Sequence, residues 1–384
     1  MDIREEAERF RGVLADENMP INARIFEHLL LLDFMNSIHW VGHIRTVDDF
    51  MYRMYMYQTA TSMAPPRDII LYEVFTAHPS TSRFYGEFTV YDMEQMEQRH
   101  SMVMGYGPDN YTINIIDESN IAHIHIAMLF SASYVDRENI RNLYEQIADF
   151  NHLIIDIRGN PGSWPHIFHE LITIPHIRET VHLDVVSFYK GSDRNLNMLG
   201  ILYDPTHDYH RIPPKRPSHF YRESFTLADG NILGRDGEPL FIGTELLEWG
   251  DIEAFDYYAA GTMYTLHPPS PDDLQSNFNG QLWLLTDNFS FSGSEHVVAL
   301  YKQNDLGIIV GEQGGGAFMC SLLFSNYFAL PNTGIVIRYD VGYPVCQRTG
   351  RPLEDGIPPH FINRPGLDAL QTTLELIAEG AYRE

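Results

Sequence analysis

Lysine is almost missing from this chain. Only Lys190, Lys215 and Lys302 occur among 384 residues, and 52 acidic side chains against 26 basic ones leave a formal net charge of −26. Neutralising a phosphate backbone takes clustered Lys and Arg, so no nucleic-acid partner is expected and anionic partners are disfavoured. Cysteine is scarcer still. Cys320 and Cys346 are too few for a disulfide framework; two buried free thiols are expected, although pairing across neighbouring segments stays open. No apolar run reaches the length of a membrane-spanning helix, so no segment is expected to cross a bilayer. The opening residues, "MDIREEAERF", are rich in charge and hold no apolar signal core. As given, the chain reads as cytoplasmic, or as a secreted form whose signal has been removed.

Other absences narrow the chemistry. The glycine-rich "GEQGGG" matches neither a phosphate loop nor a dinucleotide fingerprint. "HIFHE" (166–170) is H-x-x-H-E, which fits neither order of the zinc-protease helix. His123 and His125 share a strand face but lack a third ligand, so no metal site is expected. No internal repeat or low-complexity tract occurs.

What is present is ample core material, with 44% apolar and 12% aromatic residues. Residues 1 to about 75 read as helical, with Phe50, Met54 and Tyr57 at helical spacing, and 67–110 reads as an irregular connector. From Ser119 the texture alternates. "IAHIHIAMLF" reads as a strand, and "DRENIRNLYEQIADF" as a helix with Asp136 as N-cap. "HLIIDIR" is a continuous apolar run suited to burial on both faces. The helix "HIFHELI", the strand "VHLDVVSFY" and a long aperiodic excursion over 190–280 follow. Then come the strand "QLWLLT", the helix "EHVVALYKQ", the strand "GIIVGE", a hairpin turning at Pro331-Asn332, and a last helix presenting Leu367, Leu370, Leu374 and Ile377. Strands separated by helices predict an α/β core with parallel pairing. The expected division is an N-terminal region over 1–110 and a core over 111–384, with 190–280 as an insertion.

Ser292 sits just past a buried strand and at the start of a helix, where open α/β sheets place reactive groups. The N–H of Gly293 and the helix N-terminus would favour negative charge developing beside it. A second reading competes: Ser292-Gly293-Ser294-Glu295 fits S-x-x-E, a capping box in which Ser292 merely caps the helix. "IIDIRGNPG" supplies another strand end, with Asp156 and Arg158 followed by a glycine loop, and "GEQGGG" supplies a third.

Taken in order, "NIAHIHIAMLF", "LIIDIRGNPG", "NGQLWLLTDNFSFSGSE", "LGIIVGEQGGG" and "RTGRPLEDGIPPHF" resemble the C-terminal processing (tail-specific) serine peptidases, including their tricorn-core and interphotoreceptor-retinoid-binding-protein-like branches. The resemblance runs from about Tyr111 to the C-terminus. It implies a ClpP/crotonase-like α/β core, a serine endopeptidase activity, a polypeptide substrate, no cofactor, and Ser292 as nucleophile. In many relatives a lysine after the "GE" loop is the general base, but here Gly314-Gly315-Gly316-Ala317 stands there. Lys302 lies along the helix ~15 Å from Ser292 at 1.5 Å per residue. A Ser-Lys dyad is thereby excluded unless Lys190 or Lys215 folds back.

The tricorn-like branch uses a histidine and a glutamate instead. It nominates Glu354 in "RPLEDGIPP" to orient the imidazole, with His360 where the family carries an aspartate. His78 in "EVFTAHPSTSRFYGE" is the nearest match for the base, with His39, His43 and His100 as alternatives. Backbone groups of Gly293 and of a glycine within 159–162, Gly159 or Gly162, would hold the oxyanion. Ser163 replaces the family's second glycine in that loop. Too few residues separate His78 from Tyr111 for a PDZ domain, so substrate capture falls to another segment such as 190–280. Self-association is an open partner mode. The rival reading is a non-catalytic protein that binds peptides or apolar ligands on the same fold.

Overall fold

The computed structural model describes residues 20, 45–47, 49, 52–53, 56–57, 61, 75–76, 79–96, 110–117, 120–189, 226–228, 231–233, 255–316, 325–330, 333–340, 342–348 and 350–380. In chain order the strands are β1 (Arg45–Thr46), β2 (Tyr111–Asp117), β3 (Ile121–Ile126), β4 (His152–Asp156), β5 (Val181–Tyr189), β6 (Thr226–Ala228) and β7 (Asn231–Leu233). They continue with β8 (Tyr257–Leu266), β9 (Gln281–Thr286), β10 (Ile308–Gly311), β11 (Ser325–Ala329), β12 (Val336–Asp340), β13 (Gly342–Cys346) and β14 (Phe361–Ile362). The helices include α1 (Pro79–Tyr85), α2 (Tyr134–Gln146), α3 (Gly293–Gln303) and α4 (Ala369–Glu379).

The chain divides into two compact units. One comprises Met1–His100, Gly191–Ser218 and Leu322–Gly342; the other comprises Ser101–Lys190, His219–Ser321 and Tyr343–Glu384. In the first, β1, β12 and β11 form an antiparallel sheet. Tyr52, Phe75, Tyr85, Tyr327 and Val336 pack together in its core. The Tyr85 hydroxyl donates to the Val47 carbonyl at 2.7 Å and accepts the Val336 N–H at 3.0 Å.

The second unit holds a six-stranded sheet in the order β14-β10-β9-β4-β3-β2. It is mixed: β2 pairs antiparallel with β3, and all other neighbours are parallel. Every residue of β4 is buried, as expected of a strand covered on both faces. On one face Ala369 and Leu376 of α4 pack on Ile121, Ile154, Trp283, Leu285 and Val310. Asp368 caps α4 and Gln371 bonds back to it, so the helix starts just beyond Leu367. A second sheet, β13-β5-β8, is antiparallel between β5 and β8. Among the described residues no helix is long and apolar enough to cross a membrane.

Several sequence expectations shift. α2 starts earlier than its pattern suggested. Ser133 is the N-cap, and Asp136 is the third helical residue, returning its carboxylate to the Ser133 N–H at 2.8 Å. The expected helix at 166–172 is one α-turn that continues as π-helix over His169–Thr173 and 3₁₀-helix over Ile174–His176. The 190–280 excursion contains β8, ten residues long, whose partner β5 holds it through backbone ladders rather than through a strict alternation of side chains. The 325–340 hairpin is present, while Pro331 and Asn332 lie outside the described residues, as does most of the expected N-terminal helical region. Cys346 is a buried free thiol, and Cys320 lies outside the described residues.

Candidate active site

Parallel strands in register deliver their following loops to one edge. Asp156 at the end of β4 pairs with Leu285, and Thr286 at the end of β9 pairs with Gly311 at the end of β10. The loops after β4, β9 and β10 therefore emerge side by side.

Ser292 lies in the middle of this group with φ 59° and ψ −118°. Its neighbours close a tight turn, because the Ser294 N–H donates to the Phe291 carbonyl at 3.2 Å. These are the angles of the second residue of a type II′ turn, a position dominated by glycine. A serine held there is strained, and such strain is concentrated at functional sites. The Ser292 N–H donates to the Gly316 carbonyl at 2.8 Å, and its side chain makes no cap hydrogen bond. The capping-box expectation is corrected on two counts. The Ser292 hydroxyl does not cap α3, and Glu295 does not turn back to Ser292.

Glu295 instead spans two loops. Its Oε1 accepts the Gly316 N–H at 3.1 Å and its Oε2 accepts the Ile357 N–H at 3.1 Å. The side chain is fully buried. Burial pushes its carboxyl up to about 8, although both N–H groups pull the other way. Ser290 and Ser294 serve as ties. Ser290 Oγ donates to the Ile157 carbonyl at 2.8 Å, and Ser294 Oγ donates to the Asn160 carbonyl at 3.0 Å.

The loop after β4 wraps closely round the serine. Gly162, at φ 89°, approaches so near that a Cβ there would lie 2.3 Å from the Phe291 carbonyl and 2.6 Å from the Gly293 nitrogen. A Cβ on Gly293 would lie 1.6 Å from the Ser163 carbonyl oxygen. Both glycines are needed for that contact. Ser163 also has a positive φ, 84°, although it is not glycine.

The expected roles of Gly159 and Gly162 as donors to an oxyanion are corrected. The Gly159 N–H donates to the Asp287 carboxylate at 3.0 Å, and the Gly162 N–H donates to Asn160 Oδ1 at 2.9 Å. The N–H groups of Gly293 and Ser163 make no hydrogen bond to another described residue. Sequence reasoning weighed Ser163 only as a departure. Its neighbour Asn160, buried and hydrogen-bonded to Ile126, was the missed signal that the Gly162 N–H had a local partner.

Glu354 is buried, and its backbone lies against the "GGG" loop. A Cβ on Gly316 would be 2.0 Å from the Glu354 carbonyl, and Gly316 in turn holds the Ser292 N–H. The structure thus brings Ser292, Gly293, Gly162 and the Glu354 segment together. His78, His39, His43, His100 and Ala317 lie outside the described residues. Lys302 Nζ donates to the Pro358 carbonyl at 2.5 Å. His360 ties its own segment to β10. Its Nδ1 accepts the Ile309 N–H at 2.9 Å, and its backbone N–H donates to the Ile309 carbonyl at 2.8 Å.

Beside the loop after β4, His123 Nε2 lies 3.1 Å from Asp156 Oδ2, and Arg158 binds Asp156 at 2.7 Å and Asp368 at 3.3 Å. Burial works against the Asp156 carboxylate, yet the bonds from His123 and Arg158 outweigh it and hold the group well below the usual carboxylate range. This network joins β3, β4 and the cap of α4.

Residues 120–362 match the model of Peptidase family S41, and the chain belongs to that family. None of the curated proteins matches it. The chain is similar to the crystal structure of a candidate peptidase from Parabacteroides merdae, at 13% identity and TM-score 0.52, with 100% of this chain and 90% of that one covered. It is also similar to mature CPAF complexed with lactacystin, at 17% identity and TM-score 0.40 over 70% of this chain and 53% of that one. The photosystem II D1 C-terminal processing protease matches at 11% identity and TM-score 0.34, over 68% and 49%. The chain thus spans about half the length of these last two proteins.

Proposed function

We propose that this S41 peptidase is a serine endopeptidase that works without a lysine, through a Ser292-His78-Glu354 triad. The observation that carries the reading is the strained backbone of Ser292 at a strand-to-helix turn, with a side chain that takes no part in capping. In the proposed reaction His78 accepts the Ser292 Oγ proton as the oxygen attacks the peptide carbonyl. The imidazolium then gives that proton to the leaving amine. Water, deprotonated by the same imidazole, hydrolyses the acyl-serine and restores both groups. Glu354 orients the imidazole. The N–H groups of Gly293 and Ser163 carry the oxyanion, an assignment supported by the contact between their backbones and by the absence of other partners for them among the described residues.

A fluorophosphonate probe tests this reading. Labelling of the wild type that is lost in Ser292→Ala, and is slowed at least about 100-fold in His78→Ala, is the expected result. A well-folded wild type that takes no label would favour the rival reading, a peptide-binding protein on the same fold. Labelling retained in Ser292→Ala would reject Ser292 as nucleophile, and normal labelling in His78→Ala would reject His78 alone.

A further inference from the structure

The loop that touches the nucleophile turn carries a large exposed ring directly after it. The Ser163 backbone lies against Gly293, and Trp164 follows, with 48% of its surface exposed. An indole left in water costs free energy that a ligand can recover by covering it. Trp164 is also held in place. Its ring meets Tyr264 of β8 edge-on at 5.9 Å between centroids, and the Tyr264 hydroxyl lies 2.9 Å from His296 Nδ1. His296 is one turn beyond Ser292 on α3, so the platform is anchored to the helix that begins at the nucleophile. His169 packs edge-on against Tyr264 at 5.3 Å and closes the back of the group.

We infer that Trp164, backed by Tyr264, is the specificity-determining wall for the side chain of the residue whose carbonyl Ser292 attacks, and that it selects uncharged, bulky residues, aromatic above all. The inference rests on the proposed role of Ser292. A carbonyl placed at Gly293 and Ser163 puts the side chain of its own residue within one residue's reach of Trp164. The wall itself, Trp164 and the Tyr264 ring that it meets, is aromatic and offers no ionic partner to a charged side chain. Burial, with smaller contributions from His296 and His166, pushes the His169 imidazole down to about 3, so it is neutral at ordinary pH.

Binding of N-acetyl-Ala-Ala-Phe and N-acetyl-Ala-Ala-Ala, both with a free carboxylate, to the Ser292→Ala protein tests this by calorimetry without requiring turnover. The expected preference for Phe is roughly tenfold or more. It should fall close to unity in Ser292→Ala/Trp164→Ala and persist in Ser292→Ala/Trp164→Phe. Equal affinity for the two peptides, or a preference that survives the loss of the indole, overturns the inference. If the fluorophosphonate labels Ser292 while the preference is absent, the specificity wall fails and the peptidase reading stands. If the preference depends on Trp164 but no label is taken up, the peptidase reading fails, and a wall for the attacked residue falls with it.

Discussion

Glu295 Oε1 accepts the Gly316 N–H at 3.1 Å, joining the first turn of α3 to a loop 21 residues further on. The Gly316 carbonyl in turn accepts the Ser292 N–H, so the Glu295 carboxyl and the strained serine are held by the same residue. Replacing Glu295 by Gln puts an amide donor against one of two backbone donors. A loss of about 2 kcal/mol in urea unfolding at pH 7 is expected, with a parallel fall in fluorophosphonate labelling. The pH dependence has an unusual sign. The folded carboxyl lies near 8 against an ordinary 4.5, so folding takes up a proton between those values. The stability of the wild type relative to Glu295→Gln should therefore fall as pH rises from about 4.5 to about 8 and level off above.

Ser292 holds a positive φ that glycine adopts without strain. Ser292→Gly should abolish labelling while stabilising the protein by about 1 kcal/mol. Ser292→Ala, which keeps the Cβ, should abolish labelling without that gain. Equal stabilities of the two variants in urea unfolding would show that the turn is not strained.

Gly293→Ala places a methyl 1.6 Å from the Ser163 carbonyl oxygen, a backbone atom that can yield only by moving its loop. A cost of at least about 2 kcal/mol is expected. Labelling should fall more steeply than stability, because the displaced loop carries the Ser163 N–H. Unchanged labelling would remove Ser163 from the proposed oxyanion site.

Asp156 is bound by His123 and Arg158, and an amide in its place removes the charge and sets a donor against one of these donors, the buried His123 or the half-buried Arg158. Asp156→Asn should cost about 3 kcal/mol at neutral pH. The depressed folded value stabilises the protein above the ordinary 3.8 and ceases to do so as pH falls below it. The gap between wild type and variant should therefore close in acid, which parallel urea titrations at neutral and low pH would measure.

Much of the core was legible in the chain. β4, β9 and β10 are short apolar runs bounded by turn residues, and α4 repeats its apolar residues at helical spacing, so local pattern and tertiary position agree. Agreement failed where a partner from elsewhere competed with a local one. The pattern Ser292-x-x-Glu295 is a sound capping box by spacing, but Gly316 and Ile357 offer Glu295 two backbone donors and the turn carries Ser292 out of capping geometry. β8 escaped notice because a strand's hydrogen bonds go to another strand, here β5, and leave little trace in side-chain period.

The amino-acid sequence by itself determined which residues are available for chemistry: a serine at the end of a buried strand, glycine-rich loops after two others, and no lysine after Lys302. The match to Peptidase family S41, over residues 120–362, spans that serine and those loops. Only the tertiary structure decided which donors stay free. The N–H groups of Gly159 and Gly162 are taken by Asp287 and Asn160, whereas those of Gly293 and Ser163 meet no acceptor among the described residues. A backbone N–H looks the same at every position of a sequence. Its freedom depends on whether folding brings an acceptor within about 3 Å, and that is a property of three-dimensional packing alone.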